Sequence, residues 1–392
     1  MSHGLVILRS LNWIVLGWLL IARTLLAEMP APLVQLAGVT MGTTYSIQYV
    51  SGETGASREQ LHRLVEAKLD ALDAIFSTYR SDSQLAQLQQ AEQQTWQPIS
   101  RELFEVLELS QAIKQRSGGA FDIQIAPLVA LWKQAASLQQ LPSAEAITQQ
   151  QRTLATQAWE LRKSPYAIRK ESPQFMCDVN GIVPGYAVDQ LAQLLDQEKI
   201  AEYLIELGGE VRAQGNRPWQ VAIETPAGET ATQHRQVLFT LPMVSGAVAT
   251  SGDYRQGYEI AGKRYSHILD PRTGWPVPHR QASVTVVMAD CASADAWATA
   301  LSVLGPEAGL RLATEQNLAV CFVTKTSTGF DQCPSPAFAA RFPQVSAHRM
   351  SPSGVHWWMA FVGGCVVLLV VWMLLRQKAP RTANSSASEM VS

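Results

Sequence analysis

Between Ala158 and Met288 the chain is a succession of short β-rich runs, and this block constrains the fold more than any other part of the sequence. Strands are predicted at Ala158–Leu161, Tyr166–Arg169, Tyr203–Leu207, Trp219–Glu224, Val237–Leu241, Ser245–Thr250 and Ser283–Met288. Each is rich in β-branched or aromatic residues and bounded by turn formers. One helical phrase interrupts them, in DVNGIVPGYAVDQLAQLLDQ, where a loop feeds a helix at about Gly185 and Pro184 sits in a first turn that tolerates its missing N–H. Before the block the spacing is helical. Ser57 can cap a helix to Phe76 that carries Leu61, Leu64, Val65, Leu69, Leu72 and Ile75 on one face. A second capped helix starts near Asp82, a third covers Arg101–Arg116, and an apolar one runs through Trp132. Val34–Val50 alternates as a hairpin bent at Met41-Gly42. After the block come helices at Ala292–Leu304 and Glu307–Gln316 and a strand at Ala319–Val323. Helices, then mostly antiparallel strands, then helices again define an α+β domain. No G-x-G-x-x-G follows a strand, so a Rossmann unit has no support.

The ends of the chain say where that domain works. Trp357–Leu375 carries no charge, is long enough to span a bilayer, and is followed by Arg376, Lys378 and Arg381. Basic residues stay in the cytoplasm, which puts the preceding domain on the far side of the membrane. Near the start, Arg9 and the apolar Leu11–Ala22 read as a secretory signal peptide over residues 1–27, with an uncleaved signal anchor as the competing reading. The organisation expected is therefore an exported domain at 34–325, a Pro/Ser/Gly-rich linker at 326–354, a transmembrane helix at 357–375 and a cytoplasmic tail at 376–392. Lys+Arg 31 against Asp+Glu 33 leaves no basic field for nucleic acid, which is excluded as a partner. Five scattered cysteines without a C-x-x-C argue against zinc and against a thioredoxin-like motif. Export permits a disulfide, for which Cys321 and Cys333 are the best pair, with free buried thiols as the alternative.

Chemistry concentrates in Val248–Thr299. ATSGDY (Ala249–Tyr254) makes a rim of small residues that lets a polyanion come close. SHILDPRTG (Ser266–Gly274) sets His267, whose ordinary pKa is near neutrality, before a Pro/Gly reversal. ADAWATAL (Ala294–Leu301) puts Asp295 and Thr299 one turn apart on a helix face, so that two hard oxygens can converge as Mg²⁺ prefers. Taken alone, an Asp/Thr pair at this spacing is more often a local cap, and a hairpin His more often a structural hydrogen bond. Gly208-Gly209 and Gly181/Gly185 can offer backbone N–H groups to phosphates, or be ordinary turns.

The order of the phrases is what is specific. MGTTYSI (Met41–Ile47), STYRSDSQL (Ser77–Leu85), GGAFDIQIAPL (Gly118–Leu128), DVNGIVPGYAVD (Asp178–Asp189), IELGGEV (Ile205–Val211), AVATSGDY, SHILDPRTG and ADAWATAL together resemble the FAD:protein FMN transferase family, the ApbE type. The resemblance runs from about Val34 to Val323. It implies a periplasmic enzyme that splits FAD at its pyrophosphate with Mg²⁺; the C-terminal span would anchor it to the inner membrane. FMN would pass to a Thr or Ser hydroxyl of an acceptor protein, a membrane-associated electron-transfer subunit being the usual client, and AMP would be released. Matched residue by residue, Met41, Tyr79, Ala120, Phe121, Asp122, Asp178 and Leu269 fall on positions that hold FAD. Asp295 and Thr299 match the metal-binding side chains and Gly181 the backbone carbonyl beside them, while His267 matches the base that takes the proton of the attacking hydroxyl. Pro184 departs from the family, many of whose members carry Lys there. Two rival readings keep the same binding site: a non-catalytic FAD carrier, and an FAD pyrophosphatase giving FMN and AMP.

Overall fold

The structure is a computed structural model that describes residues 32–346, apart from 53–55, 227–235, 253–256, 279–280 and 328. The N-terminal apolar segment, the apolar run Trp357–Leu375, the tail, Asp253 and Tyr254 lie outside the described residues. Among the described residues no helix is long and apolar enough to cross a membrane.

The Met41-Gly42 bend closes a hairpin of β1 (Leu33–Thr40) and β2 (Thr43–Val50), with Thr40 opposite Thr43. These strands form one edge of an eight-stranded sheet. It continues through β6 (Tyr203–Leu207), β7 (Glu210–Glu224), β8 (Val237–Gly252), β11 (Gln281–Met288), β12 (Ala319–Lys325) and β13 (Phe330–Pro334). Every pairing in it is antiparallel, in line with the α+β expectation. The two runs expected at Val237–Leu241 and Ser245–Thr250 are one strand. Pro242 is tolerated because β11 pairs only with Ala247–Gly252, so β8 has a neighbour on one side alone at that proline.

The hairpin is followed by α1 (Arg58–Phe76), where Ser57 and Gln60 form a reciprocal capping box, then by α2 (Gln84–Gln90), capped by Ser83. The short β3 (Trp96–Pro98) leads to α3 (Arg101–Arg116), with the bounds expected from its periodicity. Next come α4 (Ala126–Leu138), which outruns its predicted end at Trp132, and α5 (Ala144–Thr156). Strands β4 (Trp159–Lys163) and β5 (Tyr166–Lys170) complete a three-stranded sheet in the order β3-β5-β4. The helical phrase becomes α6 (Val183–Gln197), and β9 (Gly257–Ile260) with β10 (Lys263–Ser266) makes a separate ribbon. The two helices expected after Met288 abut in one run, α7 (Cys291–Glu315), broken at Gly305 with φ 73° and ψ 175° just before Pro306.

Alternation along the strands divides the core. On one face Leu36, Ile47, Ile205, Val284 and Phe322 pack under α6 and α7, which bring Leu191, Leu195, Trp297 and Leu301. On the other face Val221, Ile223, Leu241 and Met243 pack with Phe338 and Phe342. Those two phenylalanines correct the linker expectation, because the chain stays folded to the end of α8 (Pro336–Arg341) and α9 (Pro343–Ser346). Proline, serine and glycine there serve as strand end and helix cap: Ser335 Oγ accepts the N–H groups of Val320 and Phe338. The register also answers the cysteine question. Phe322 stands opposite Cys333 and Cys321 opposite Pro334, so Cys321 and Cys333 point to opposite faces of the sheet and are not bridged to each other.

Candidate active site

Two helix starts meet at the core of the site. Loop residues Asp178–Ile182 turn tightly, with the Asn180 N–H donating to the Asp178 carboxylate (3.0 Å) and the Val183 N–H to the Val179 carbonyl (3.0 Å). No side chain caps α6 at its own N-cap, Ile182. The N–H of its third residue, Gly185, instead donates to Oδ2 of Asp295 on α7 (3.0 Å). The helices cross so closely that a Cβ on Gly185 would lie 2.4 Å from the Cys291 carbonyl oxygen. Only glycine fits there. One turn earlier the Gly181 backbone presses on Thr299, whose Oγ1 would lie 2.8 Å from a Cβ at that position. Gly181 and Thr299, and Gly185 and Asp295, are thus brought together where the two helices cross.

Asp295 is only 5% exposed. Burial pushes its carboxyl up to about 7, against the opposing pull of the Gly185 amide. A carboxyl left so short of compensating charge suits a cation. The donors near it are a carboxylate, a hydroxyl and backbone oxygens, all hard. Among the described residues no three His, Cys, Asp or Glu side chains converge. A cation here would therefore complete its shell with water or substrate phosphates, which is the habit of Mg²⁺. The residues present fit that ion.

A second group of residues surrounds Asp178. Its N–H donates to the Ile123 carbonyl (2.6 Å), which ties it to the Ala120-Phe121-Asp122 turn. Ala120 and Phe121 are buried in the main core, so at these two positions the backbone is what a ligand can meet. Asp122 is held in a fixed pose, its Oδ2 paired with Lys114 Nζ at 2.7 Å and its Oδ1 accepting the Gln124 N–H at 3.0 Å. Tyr258 on β9 is pushed up to about 12 by burial and, second, by the charge of Asp178.

His267 follows the last residue of β10 and is half-buried. The reversal after it is built by Asp270, whose carbonyl accepts from Gly274 (2.7 Å) and whose carboxylate holds the Arg272 guanidinium by two hydrogen bonds (2.9 and 2.8 Å). Trp132 Nε1 donates to the Gly274 carbonyl (2.9 Å) and Gln151 Nε2 to the Arg272 carbonyl (2.6 Å), which pins the reversal to α4 and α5. Leu269 is buried with Leu128 and Trp132 and reaches any ligand through its backbone or not at all. Met41 sits at the hairpin bend with φ 47° and packs against the main core. Tyr79 is 92% exposed, in the turn between α1 and α2, so no protein neighbour fixes its ring.

Sequence reasoning passed over two groups. Asp189 is buried and accepts the N–H groups of Cys291 and Ala292 (2.9 Å each) at the start of α7, while pairing with Arg212 of β7. Lys114, the partner of Asp122, looks like any basic residue in the last turn of a helix. The clue for Asp189 was available: it lies one helical turn beyond Gly185 and shares its face.

Comparison with known proteins places this arrangement. The model of the ApbE family matches residues 41–322. The chain belongs to the ApbE family. An FAD:protein FMN transferase of Klebsiella pneumoniae is 36% identical over 312 residues, covering 77% of this chain and 87% of that protein. One from Haemophilus influenzae is 36% identical over 315 residues, with 78% and 90% covered. Among solved structures, the flavin transferase ApbE of Vibrio cholerae superimposes with TM-score 0.69 at 32% identity, covering 79% of this chain and 99% of its own. The apo flavinyl transferase ApbE of Pseudomonas stutzeri gives 0.70 at 33%, covering 80% and 98%.

Proposed function

We propose that this chain is a Mg²⁺-dependent flavin transferase that moves FMN from FAD to a Thr or Ser hydroxyl of an acceptor protein and releases AMP. The observation that carries the reading is the contact of Gly181 with Thr299 and of Gly185 with Asp295 at the start of α6, in a chain of the ApbE family. The N-terminus of α6 presents the positive end of a helix dipole, a favourable setting for a pyrophosphate. Asp295, Thr299 and the Gly181 carbonyl would hold Mg²⁺, which when bound offsets charge on the phosphates and on the departing AMP.

The remaining work falls to the protein's own groups. Asp178, the fixed Asp122 and the backbone of Ala120 and Phe121 would orient the flavin end, with Met41, Tyr79 and Leu269 about it. His267 would accept the hydroxyl proton as the acceptor oxygen bonds to the FMN phosphorus. The phosphoanhydride bond to AMP breaks as that bond forms, and AMP leaves with the bridging oxygen. Phosphoryl transfer asks for little more than such positioning and charge neutralisation.

The apolar run at 357–375 supports an inner-membrane tether with the catalytic domain on the periplasmic side, and a tether favours acceptors in the same membrane by raising their effective concentration. Membrane-associated electron-transfer subunits are the acceptor class proposed. Pro184, where a lysine is common in the family, motivates one rival, a flavin-binding module without transfer. Incubation with FAD, Mg²⁺ and an acceptor domain separates the readings. Acceptor mass rising by one FMN with matching AMP supports transfer, AMP alone indicates a pyrophosphatase, and bound FAD without AMP indicates the carrier.

A further inference from the structure

We propose that Asp189, braced by Arg212, is a positioning residue for the metal-binding group, acting through a reciprocal clasp between two helices. The inference rests on the metal site named above. Each helix supplies a carboxylate to N–H groups at the start of the other. Asp295 of α7 accepts the N–H of Gly185, the third residue of α6, and Asp189 of α6 accepts the first two N–H groups of α7, from Cys291 and Ala292. Asp290, the N-cap of α7, takes only the next N–H, that of Ser293.

The two links close a ring. Gly185 and Asp189 are one turn apart on α6, and Cys291 and Asp295 one turn apart on α7. A shift of α7 against α6 that loosens one link therefore strains the other. That shift would also change how Asp295 and Thr299 face Gly181. Contact at Gly185 sets the distance between the helices, but a contact does not fix sliding or rotation, whereas two directional carboxylate–amide links do. Arg212 completes the device. It comes from the central strand β7, pairs with Asp189, and so references both helices to the sheet. An ordinary helix cap would need no partner from the sheet and would not share its ring with the ligand carboxylate.

The test uses the purified full chain, freed of metal, with Mn²⁺ as the probe and electron paramagnetic resonance as the readout, in the absence of FAD. FAD affinity in EDTA and thermal unfolding are measured alongside. Asp189→Asn should weaken Mn²⁺ binding on the order of tenfold, the usual scale for groups that orient metal ligands, with FAD affinity in EDTA unchanged. Arg212→Met should weaken it less, and Arg212→Lys should restore part of the loss. Mn²⁺ affinity equal to wild type in folded Asp189→Asn overturns the proposal, even with a lowered Tm. If that variant does not fold, a folded Arg212→Met with wild-type Mn²⁺ affinity overturns it equally. Mn²⁺ binding that is the same in wild type and Asp295→Asn would sink the metal site itself, and this inference with it.

Discussion

At the residue scale the account turns on Asp295 and His267. Asp295 is a carboxyl raised to about 7 by burial, so the folded metal-free protein holds a proton that the unfolded chain has released. Its contribution to stability is full below the ordinary carboxylate range and is lost as pH rises to about 7. In EDTA, the Tm of wild type measured relative to Asp295→Asn should fall over that window, and Mg²⁺ should recover the loss above it. A flat difference across pH 4–8 would contradict this. Transfer by Asp295→Asn should drop at least 100-fold, since a ligand of the charge-neutralising ion is gone. His267→Ala should keep FAD affinity within a few-fold and slow transfer by about 10²–10⁴, the range for loss of a general base. Unchanged turnover would remove His267 from the mechanism. Asp295, Thr299 and His267 were singled out by the order of the phrases that carry them, because residue type and spacing alone favour a local cap and a structural hydrogen bond. The exposure of Tyr79, and the burial of Ala120, Phe121 and Leu269, were not legible in the sequence, because those depend on which side of a turn faces the core.

At the scale of elements, local signals were read well and contacts between elements were not. Ser57 with Gln60, the Met41-Gly42 bend and the bounds of α3 are consequences of neighbours in sequence. The continuity of β8 through Pro242 and the partnership of α6 with α7 are consequences of what lies alongside, and no local pattern announces them. Gly185 shows the difference. In sequence it is a helix-start glycine open to phosphates, and in the fold it is the point where two backbones touch. Gly185→Ala should force the helices apart and cost about 1–3 kcal/mol, the usual scale of overpacking a tight interface. Chemical denaturation would measure the loss, and a variant as stable as wild type would show that the contact yields freely.

At the scale of the molecule, the sheet has two working ends. The Met41 bend and the Gly208-Gly209 turn mark one end, and the long β7–β8 arm, packed with α8 and α9, marks the other. Residues 330–346 belong to the folded domain, because Phe338 and Phe342 fill the second core. Phe338→Ala should therefore destabilise the domain by about 3–5 kcal/mol, as for other buried aromatics. A variant with unchanged unfolding would mean that α8 is dispensable. The most direct test of the central claim takes the full chain with FAD, Mg²⁺ and an acceptor domain bearing a single exposed threonine, and follows acceptor mass and AMP together. The account predicts one FMN gained per AMP released, dependent on Mg²⁺ and lost in Asp295→Asn. AMP released at the same rate with no acceptor gaining mass, or FAD bound and left whole, would contradict it.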